Sequence, residues 1–328
     1  MKKLFQLFLI IAFLGAGAIS EAQQTGKIPR VGYFAAGGDP NNPGSLVEAF
    51  RQGLRELGYI EGKNILVEFR YGEGNRELVL SLVTELMQLK VDVLVVTSLT
   101  SIRAAKQATK TIPIVMVTVQ DPVETGIVDS LASPGGNITG VTTLARELSG
   151  KRLELLKEVV PKMSRAGVLW DANAPGTIIG FKEYEAAARA LKIQLQSLEV
   201  RGPNPDLAGA FETVAKGRAS ALITIGNPVL GRYQKQIAEL AIKNRMPSMC
   251  ERSDYVEAGC LVSYAANQAD QYRRAAYYVD RILKGTKPAD LPVEQPMKFE
   301  FVVNLKTAKQ IGVTIPQWTL MKADKVIR

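Results

Sequence analysis

The strongest constraint on the fold is an alternation of strands and helices that the sequence runs through twice. Apolar runs with β-branched and aromatic residues, which are typical of buried strands, stand at 31–34, 65–69, 91–96 and 112–119. Stretches with apolar residues at helical spacing separate these runs. Such an alternation predicts an α/β fold with parallel sheets and right-handed crossovers.

The same order begins again after Thr143. Three pairs of segments correspond: RVGYF at 30–34 with RAGVL at 165–169, the strand near Val93 with ALITI at 221–225, and IPI at 112–114 with MPS at 246–248. A long amphipathic helix at 272–283 and a strand at 299–303 follow. A chain of 328 residues has the length of two domains. We therefore predict two similar lobes that are joined by several short crossings.

The amino terminus has the pattern of a secretory signal peptide. Lys2 and Lys3 precede a short apolar stretch, and small residues flank Glu21 at Ser20 and Ala22, which predicts residues 1–22 as the signal peptide, with cleavage after Ala22. No cysteine stands near that point, so a lipoprotein anchor is not expected. The predicted location is the periplasm.

The formal net charge of +9 raises the question of nucleic acid binding. However, the lysines and arginines are scattered, and no basic run or helix-turn-helix pattern accompanies them. We interpret the charge as a solvated face and expect no nucleic acid partner.

The absence of histidine excludes several chemistries at once. It removes a Ser-His-Asp triad, a Cys-His pair and every zinc site that uses histidine. No phosphate-binding P-loop and no complete dinucleotide fingerprint is present. Carboxylate catalysis and a lysine Schiff base stay open, but no motif supports them. We therefore expect a binding protein without a cofactor or a metal, and not an enzyme.

Polar residues cluster where the predicted strands end, which is where open α/β sheets bind ligands. Taken singly, each Ser, Thr or Asn could simply cap a helix; as a set drawn from both lobes they favour a small zwitterion held between the lobes, with helix amino termini for a carboxylate and acidic residues for an ammonium group. The candidates are Gly37, Ser98, Thr100, Asp121, Asp171, Asn173, Asn227 and Glu251.

The two cysteines, Cys250 and Cys260, stand close together in the sequence. In an exported protein they could form a disulfide that closes one loop. Two small buried side chains are the alternative. The sequence leaves both open.

Long motifs resemble one family of proteins. They stand at 121–123, 126–128, 131–141 (LASPGGNITGV), 282–296 (ILKGTKPADLPVEQP) and 304–309 (NLKTAK), and the resemblance covers nearly the whole chain after residue 22. The family is that of the bacterial ABC transporter substrate-binding proteins of the type that includes tryptophan- and phenylalanine-binding members. The resemblance implies the type I periplasmic binding fold, with two Rossmann-like lobes, three crossings and a cleft that closes on its ligand. By analogy, residues 28–143 with 266–293 form lobe 1, and 144–265 with 294–328 form lobe 2.

The resemblance also implies a function. It predicts a monomeric exported receptor that delivers a small ligand to the membrane permease of an ABC importer, and among small ligands it favours an amino acid with an aromatic side chain. An aromatic ligand would need a stacking partner, for which Phe34, Trp170, Tyr255 and Tyr264 are candidates; Tyr264 completes the predicted ligand-binding set. Two alternatives stay open: an exported enzyme that acts on a small metabolite with carboxylates alone, and a receptor that reports its ligand to a membrane sensor.

Overall fold

The computed structural model describes residues 27–72, 75, 77–143, 146–296 and 298–328; of 146 and 147 only the backbone is described. The predicted signal peptide and its cleavage point lie outside these residues. Within the described ranges, no helix combines the length and the apolar character that a bilayer span requires.

Lobe 1 is built on a five-stranded parallel sheet with the order β2-β1-β3-β4-β5. Four of its strands (β1, β3, β4 and β5) are buried on both faces, as the continuous apolar runs predict, whereas the edge strand β2 is only partly buried. Helices α1 and α10 cover one face, and α2 and α3 cover the other. The elements are β1 (Arg30–Ala35), α1 (Ser45–Glu56), β2 (Leu66–Tyr71), α2 (Glu77–Gln88), β3 (Val93–Val96), α3 (Leu99–Ala108), β4 (Ile114–Thr118), β5 (Ile138–Thr142) and, after lobe 2 has begun, α10 (Gln268–Leu283).

Lobe 2 is built on a seven-stranded sheet with the order β12-β11-β10-β9-β8-β6-β7. Its pairs are parallel except β10 with β11, which run antiparallel. The elements are α4 (Arg146–Val159), β6 (Arg165–Asp171), α5 (Pro175–Ala190), β7 (Gln194–Val200), α6 (Leu207–Lys216), β8 (Ala221–Thr224), α7 (Pro228–Arg232), α8 (Gln234–Lys243), β9 (Ser248–Cys250), α9 (Ser253–Glu257), β10 (Val262–Ala266), β11 (Phe299–Asn304), α11 (Leu305–Ile311), α12 (Gln317–Leu320) and β12 (Lys325–Ile327).

The two edge strands of this sheet, β7 and β12, are not predicted from the sequence. β7 has the sequence QLQSLEV and several exposed side chains, and β12 has only three residues. Neither carries the apolar run of a central strand, because an edge strand faces solvent on one side. The α/β architecture with two largely parallel sheets is nevertheless as predicted.

The chain passes between the sheets three times within the described residues. It leaves lobe 1 after β5, returns after β10, and leaves again between Glu294 and β11. The backbone of Glu294 still pairs with the end of β5, since Thr142 N donates to Glu294 O at 2.9 Å. We propose the lobe boundaries at these passages, close to residues 143, 266 and 293.

Helix α10 packs so closely on α1 that a glycine is required at the contact. A Cβ on Gly53 would lie 2.9 Å from the Cβ of Ala276 and equally close to the backbone of Arg273, a separation that real Cβ atoms do not show. This contact fixes the position of the first turn of α10, which faces lobe 2.

Cys250, the last residue of β9, and Cys260 are joined in a disulfide, and both are buried. Of the two possibilities that the sequence left open, the structure therefore shows the disulfide. The bridge closes a loop that contains α9. A ring of this size stabilises a fold by about 2–3 kcal/mol, chiefly by restricting the unfolded chain. It also holds the segment between β9 and α9 at the cleft.

Candidate functional site

A cleft of about 700 Å³ separates the two lobes. It is lined by the loops that follow β1, β3 and β4 in lobe 1 and by those that follow β6, β8 and β9 in lobe 2, together with the first turn of α10. These loops lie at the carboxyl ends of parallel strands, where α/β sheets bind ligands. The volume falls within the roughly 300–1,000 Å³ of small-molecule sites.

Several helices begin in the cleft wall. The first turn of a helix has backbone N–H groups without intrahelical partners and a partial positive charge. Ser98 caps α3 by accepting from Ser101 N at 3.2 Å, whereas the amino terminus of α1 has no side-chain cap. The cap of α3 engages the N–H group of Ser101, and α1 has no side-chain cap at all. The remaining N–H groups of these two first turns suit an anionic ligand group in lobe 1. The first residues of the four longer helices concerned are Ser45, Leu99, Pro175 and Gln268.

An ion pair lies in the lobe 2 wall. Arg252 Nε donates to Asp254 Oδ1 at 2.9 Å, and a second hydrogen bond joins the Arg252 guanidinium to the other carboxylate oxygen. Burial favours a lower pKa for Arg252, but the Asp254 carboxylate outweighs it and raises the pKa. The guanidinium is therefore charged at neutral pH. The wall presents both signs of charge, as a zwitterionic ligand requires.

The aromatic side chains of the cleft come from lobe 1. Tyr33, Phe34 and Tyr272 line it. The Tyr33 ring packs against Phe50 and Phe69, with centroids 4.7 and 5.3 Å apart. Burial raises the pKa of Tyr272, which has Thr97 as a hydrogen-bond partner and lies within electrostatic range of Arg252 in the opposite wall.

Four of the predicted site residues line the cleft: Gly37, Ser98, Thr100 and Asn227. The Asn227 side chain also caps α7, because its Oδ1 accepts from Leu230 N at 2.8 Å. The Ser98 hydroxyl is likewise engaged in its cap. Ser98 and Asn227 therefore both cap a helix and line the cleft.

Two predicted residues, Asp171 and Glu251, lie behind the wall. Asp171 is 1% exposed; its carboxylate accepts from Asn173 N at 2.9 Å and from Asn227 Nδ2 at 2.8 Å. Glu251 accepts from Gly226 N at 3.1 Å and from Arg152 Nη1 at 3.0 Å. Both carboxylates therefore hold loops that line the cleft.

Three predicted residues, Asp121, Asn173 and Tyr264, are not among those that line the cleft. The Asp121 carboxylate accepts from Val123 N at 2.8 Å and so caps its own turn. The Tyr264 ring packs against Phe299, with centroids 5.9 Å apart.

Of the other aromatic candidates, Phe34 lines the cleft and Trp170 and Tyr255 do not. Trp170 stacks on Phe181 and donates to Ser197 Oγ at 2.8 Å, and Tyr255 is 2% exposed within the core of lobe 2. Both are structural residues.

Four residues that line the cleft are not indicated by the sequence pattern: Tyr33, Gln271, Tyr272 and Arg252. Tyr33 lies inside an apolar run, and Tyr272 follows the apolar spacing of α10, so both have the pattern of core residues. Arg252 directly follows Glu251, the residue that the strand-end pattern indicates. Gln271 carries no signal in the sequence; it reaches the cleft because α10 packs on α1.

The lobes touch across the cleft. A Cβ on Gly176 of lobe 2 would lie 2.6 Å from Gln120 Nε2 of lobe 1, and one on Gly37 would lie 4.0 Å from Pro228 Cβ. Side chains at these two positions would meet the opposite lobe.

Within the part of the chain that the structure describes, no group of three or more Cys, Asp or Glu side chains is arranged to hold a metal ion.

Comparison with known proteins gives a consistent result. The model of a family described as ABC transporter substrate binding protein matches residues 44–327. Among curated proteins, the tyrosine-binding protein of Clostridioides difficile (strain R20291) is 27% identical over 275 residues, which cover 81% of this chain and 76% of that protein.

Two solved structures are similar over 92% of this chain and the whole of theirs. One is a conserved domain protein from Vibrio cholerae, with a TM-score of 0.83 and 26% identity. The other is an ABC domain from Streptococcus pneumonia in complex with L-Trp, with a TM-score of 0.82 and 25% identity.

Proposed function

Because the chain belongs to the ABC transporter substrate-binding protein family, we propose that it is an exported receptor that binds an aromatic amino acid and delivers it to the permease of an ABC importer. The observation that carries this proposal is the cleft of about 700 Å³ between two lobes, with aromatic rings on one wall and an ion pair on the other. The relatives that bind tyrosine and L-Trp support the aromatic preference.

The proposed pose follows from the chemistry of the walls. The α-carboxylate of the ligand lies at the first turn of α3, beside Thr100, where free N–H groups stabilise an anion. The aromatic ring lies along Tyr272, which lines the cleft and is only partly buried. The ammonium group faces lobe 2, where Asp254 is a lining carboxylate.

The proposed mechanism is closure, with no bond made or broken. A ligand that contacts both walls binds the closed arrangement better than the open one and shifts the population toward it. The receptor acts as a monomer in the periplasm, and the closed form is the one that the permease recognises.

A thermal-shift and calorimetric screen of the mature protein against the standard amino acids tests this proposal. We expect L-tyrosine, L-tryptophan or L-phenylalanine to raise the melting temperature, because a ligand at 100 times its Kd stabilises the fold by about 2.7 kcal/mol. L-Leucine and L-aspartate are the matched controls. Small-angle scattering with the bound amino acid should show a smaller radius of gyration. If no aromatic amino acid binds, or if mass spectrometry recovers it chemically changed, the proposal is wrong.

A further inference from the structure

The end of lobe 2 that lies opposite the cleft is formed by the amino ends of its parallel strands. The loops that lead into β6, β7, β8 and β9 lie side by side there, because these strands are neighbours in the sheet. Backbone hydrogen bonds join the loops: Gln194 N donates to Ser164 O at 2.9 Å, and Ser220 N donates to Arg165 O at 3.0 Å. β11 runs antiparallel to β10, so its last residue, Asn304, and the start of α11 lie at the same end.

Each of these loops and the start of α11 carry exposed cations. None of these side chains has an ion-pair partner among the described residues. Six neighbouring strands spaced about 4.8 Å apart extend over about 24 Å, so the cations form a broad row. The row, which we call the basic face, consists of Lys162, Lys192, Arg218, Arg245, Lys306 and Lys309.

No acidic residue offsets the basic face. The segments 160–164, 191–193, 217–220, 244–247 and 305–312 contain no Asp or Glu. The acids near the ends of the preceding helices are matched by other cations. In α4, Glu154 pairs with Lys151 at 3.4 Å and Glu158 pairs with Lys322 at 2.8 Å. In α5, α6 and α8, a Lys or Arg follows four residues later in the same helix, at the spacing of helical ion pairs; the acids concerned are Glu185, Glu212 and Glu239.

The helix ends account for only part of this arrangement. The macrodipole stabilises a cation near the end of a helix, yet the corresponding end of lobe 1 carries both signs of charge, since Lys27 pairs there with Asp92 at 2.8 Å. Three residues of the basic face also have positive φ values, where glycine or asparagine is the usual residue. They are Lys192 at 55°, Arg218 at 55° and Arg245 at 49°. Backbone preference therefore does not explain a cation at these positions.

The chemistry of the basic face suits an extended anionic surface. Within the described residues, the large apolar side chains that are exposed lie outside the segments of the basic face. The face therefore lacks the aromatic and apolar anchors of protein interfaces and the stacking rings that bind single-stranded nucleic acid. A bilayer with anionic headgroups needs neither, because each cation near its surface contributes through charge.

We propose that the basic face binds the surface of a bilayer that contains anionic phospholipid and so holds the receptor at a membrane. The cleft stays free, because it lies at the other ends of the same strands: β6 runs from Arg165 at the basic end to Asp171 behind the cleft wall, about 20 Å away. A receptor held at the surface meets a permease in that membrane more often than one in solution. This proposal goes beyond the function proposed above and does not depend on the identity of the ligand.

Co-sedimentation of the mature protein with lipid vesicles tests the proposal. We expect binding to phosphatidylcholine vesicles that contain about 30% phosphatidylglycerol, and at least ~10-fold weaker binding to phosphatidylcholine alone. Raising the salt from about 50 to about 500 mM should weaken binding to the anionic vesicles, because salt screens exposed charges. The combined variant Lys162→Gln, Lys192→Gln, Arg218→Gln and Arg245→Gln should lower the partition coefficient at least ~10-fold. It should keep the wild-type melting temperature and the wild-type affinity for the amino acid.

The matched control removes the same charge from exposed positions of lobe 1. It combines Lys63→Gln, Lys90→Gln, Lys110→Gln and Lys287→Gln, and it should bind the anionic vesicles within about 3-fold of the wild type. Equal losses in the two variants, or equal binding to neutral vesicles, would overturn the proposal. Binding to duplex DNA without binding to the vesicles would also overturn it. Titration with the amino acid is a separate measurement, whose failure would count against the receptor function and not against the basic face.

Discussion

At the scale of single residues, Asp171 shows how a predicted ligand contact becomes a support for the site. From the sequence, replacing Ser98 or Asp171 is expected to weaken binding and to leave the fold unchanged. In the structure, Asp171 is buried and holds both Asn173 and Asn227, and Ser98 caps α3. Either replacement therefore affects the stability of the fold as well as the binding of a ligand in the cleft. Thr100 lines the cleft and makes no side-chain hydrogen bond within the described residues, so it reports on binding alone.

We therefore expect Asp171→Ala and Thr100→Ala to separate stability from binding. Asp171→Ala leaves the Asn227 amide unpaired and should lower the free energy of unfolding by about 1–3 kcal/mol. Thr100→Ala should keep the wild-type melting temperature and weaken L-tyrosine binding by about 2- to 10-fold. Urea unfolding and titration calorimetry measure the two effects. Equal losses of stability in both variants would contradict this division.

At the scale of elements, a buried ion pair ties helix α4 to the strands beneath the cleft. Arg152 is 2% exposed; its Nε donates to Tyr264 O of β10 at 2.8 Å, and its Nη1 donates to Glu251 at 3.0 Å. The other Glu251 oxygen accepts from Gly226 N. Burial favours a lower pKa for Arg152, but Tyr184 and Glu251 beside it raise the pKa. One charged group thus joins a helix, a strand and a cleft loop.

Arg152→Met should destabilise the protein strongly. The variant keeps the aliphatic bulk but leaves Glu251 as a largely buried charge without its cation, which costs about 3–5 kcal/mol. Urea unfolding measures this loss. Lys151→Met, next to it on α4, removes an exposed cation whose pair with Glu154 contributes little, and should change the free energy of unfolding by less than about 0.5 kcal/mol. Similar midpoints for the two variants would refute the role given to Arg152.

At the scale of the whole molecule, the approach of the lobes depends on the absence of a side chain at Gly176. Thr118 Oγ1 donates to Gln120 Oε1 at 3.1 Å, which holds the Gln120 side chain where a Cβ on Gly176 would meet it. A residue as large as leucine at this position must either displace the Gln120 side chain from its hydrogen bond with Thr118 or hold the lobes apart. It leaves the two cores, and so the unfolding of the ligand-free protein, nearly unchanged.

Gly176→Leu should therefore weaken L-tyrosine binding by at least ~10-fold, which is about 1.4 kcal/mol. Small-angle scattering should find no compaction at ligand concentrations that compact the wild type. Gly150→Leu is the control, because a Cβ on Gly150 of α4 would meet no atom within 4 Å; its affinity should equal that of the wild type. Wild-type affinity in Gly176→Leu would show that closure at this contact is not needed.

The stability of the whole protein should be flat near neutral pH and fall in alkali. No histidine is present, so no side chain with an ordinary pKa between 6 and 8 titrates. Burial raises the pKa values of Tyr33, Tyr184 and Tyr255, whereas the unfolded chain ionises these tyrosines near pH 10. The stabilisation is thus fully present below about pH 10 and is lost above it, by ~1.4 kcal/mol per pH unit for each tyrosine.

Urea unfolding between pH 7 and 11.5 measures this profile. Tyr255→Phe should reduce the slope above pH 10 by one tyrosine's share and leave the neutral plateau in place. A profile that stays flat to pH 11 would mean that the buried hydroxyls do not control alkaline stability.

The part of the structure that could be predicted from the sequence is the part that depends on interactions between residues close together in the chain. The alternation of apolar periods is local, so it predicted the central strands, most of the longer helices and the parallel α/β class. The motifs at 131–141 and 282–296 indicated the family that the match over residues 44–327 then showed. Edge strands such as β7 were not predicted, because their exposed side chains are polar and do not form an apolar run.

The sequence by itself also predicted the region in which a ligand is expected to bind, because parallel strands place their carboxyl ends at one edge of a sheet. It could not determine which side chain at that edge faces the cleft. Asp171 ends β6 and Arg252 stands two residues after β9, yet Asp171 holds the loops from behind and Arg252 lines the wall. Gln271 reaches the cleft only because Gly53 lets α10 pack on α1. Such choices depend on contacts between segments far apart in sequence, and those contacts exist only in the folded molecule.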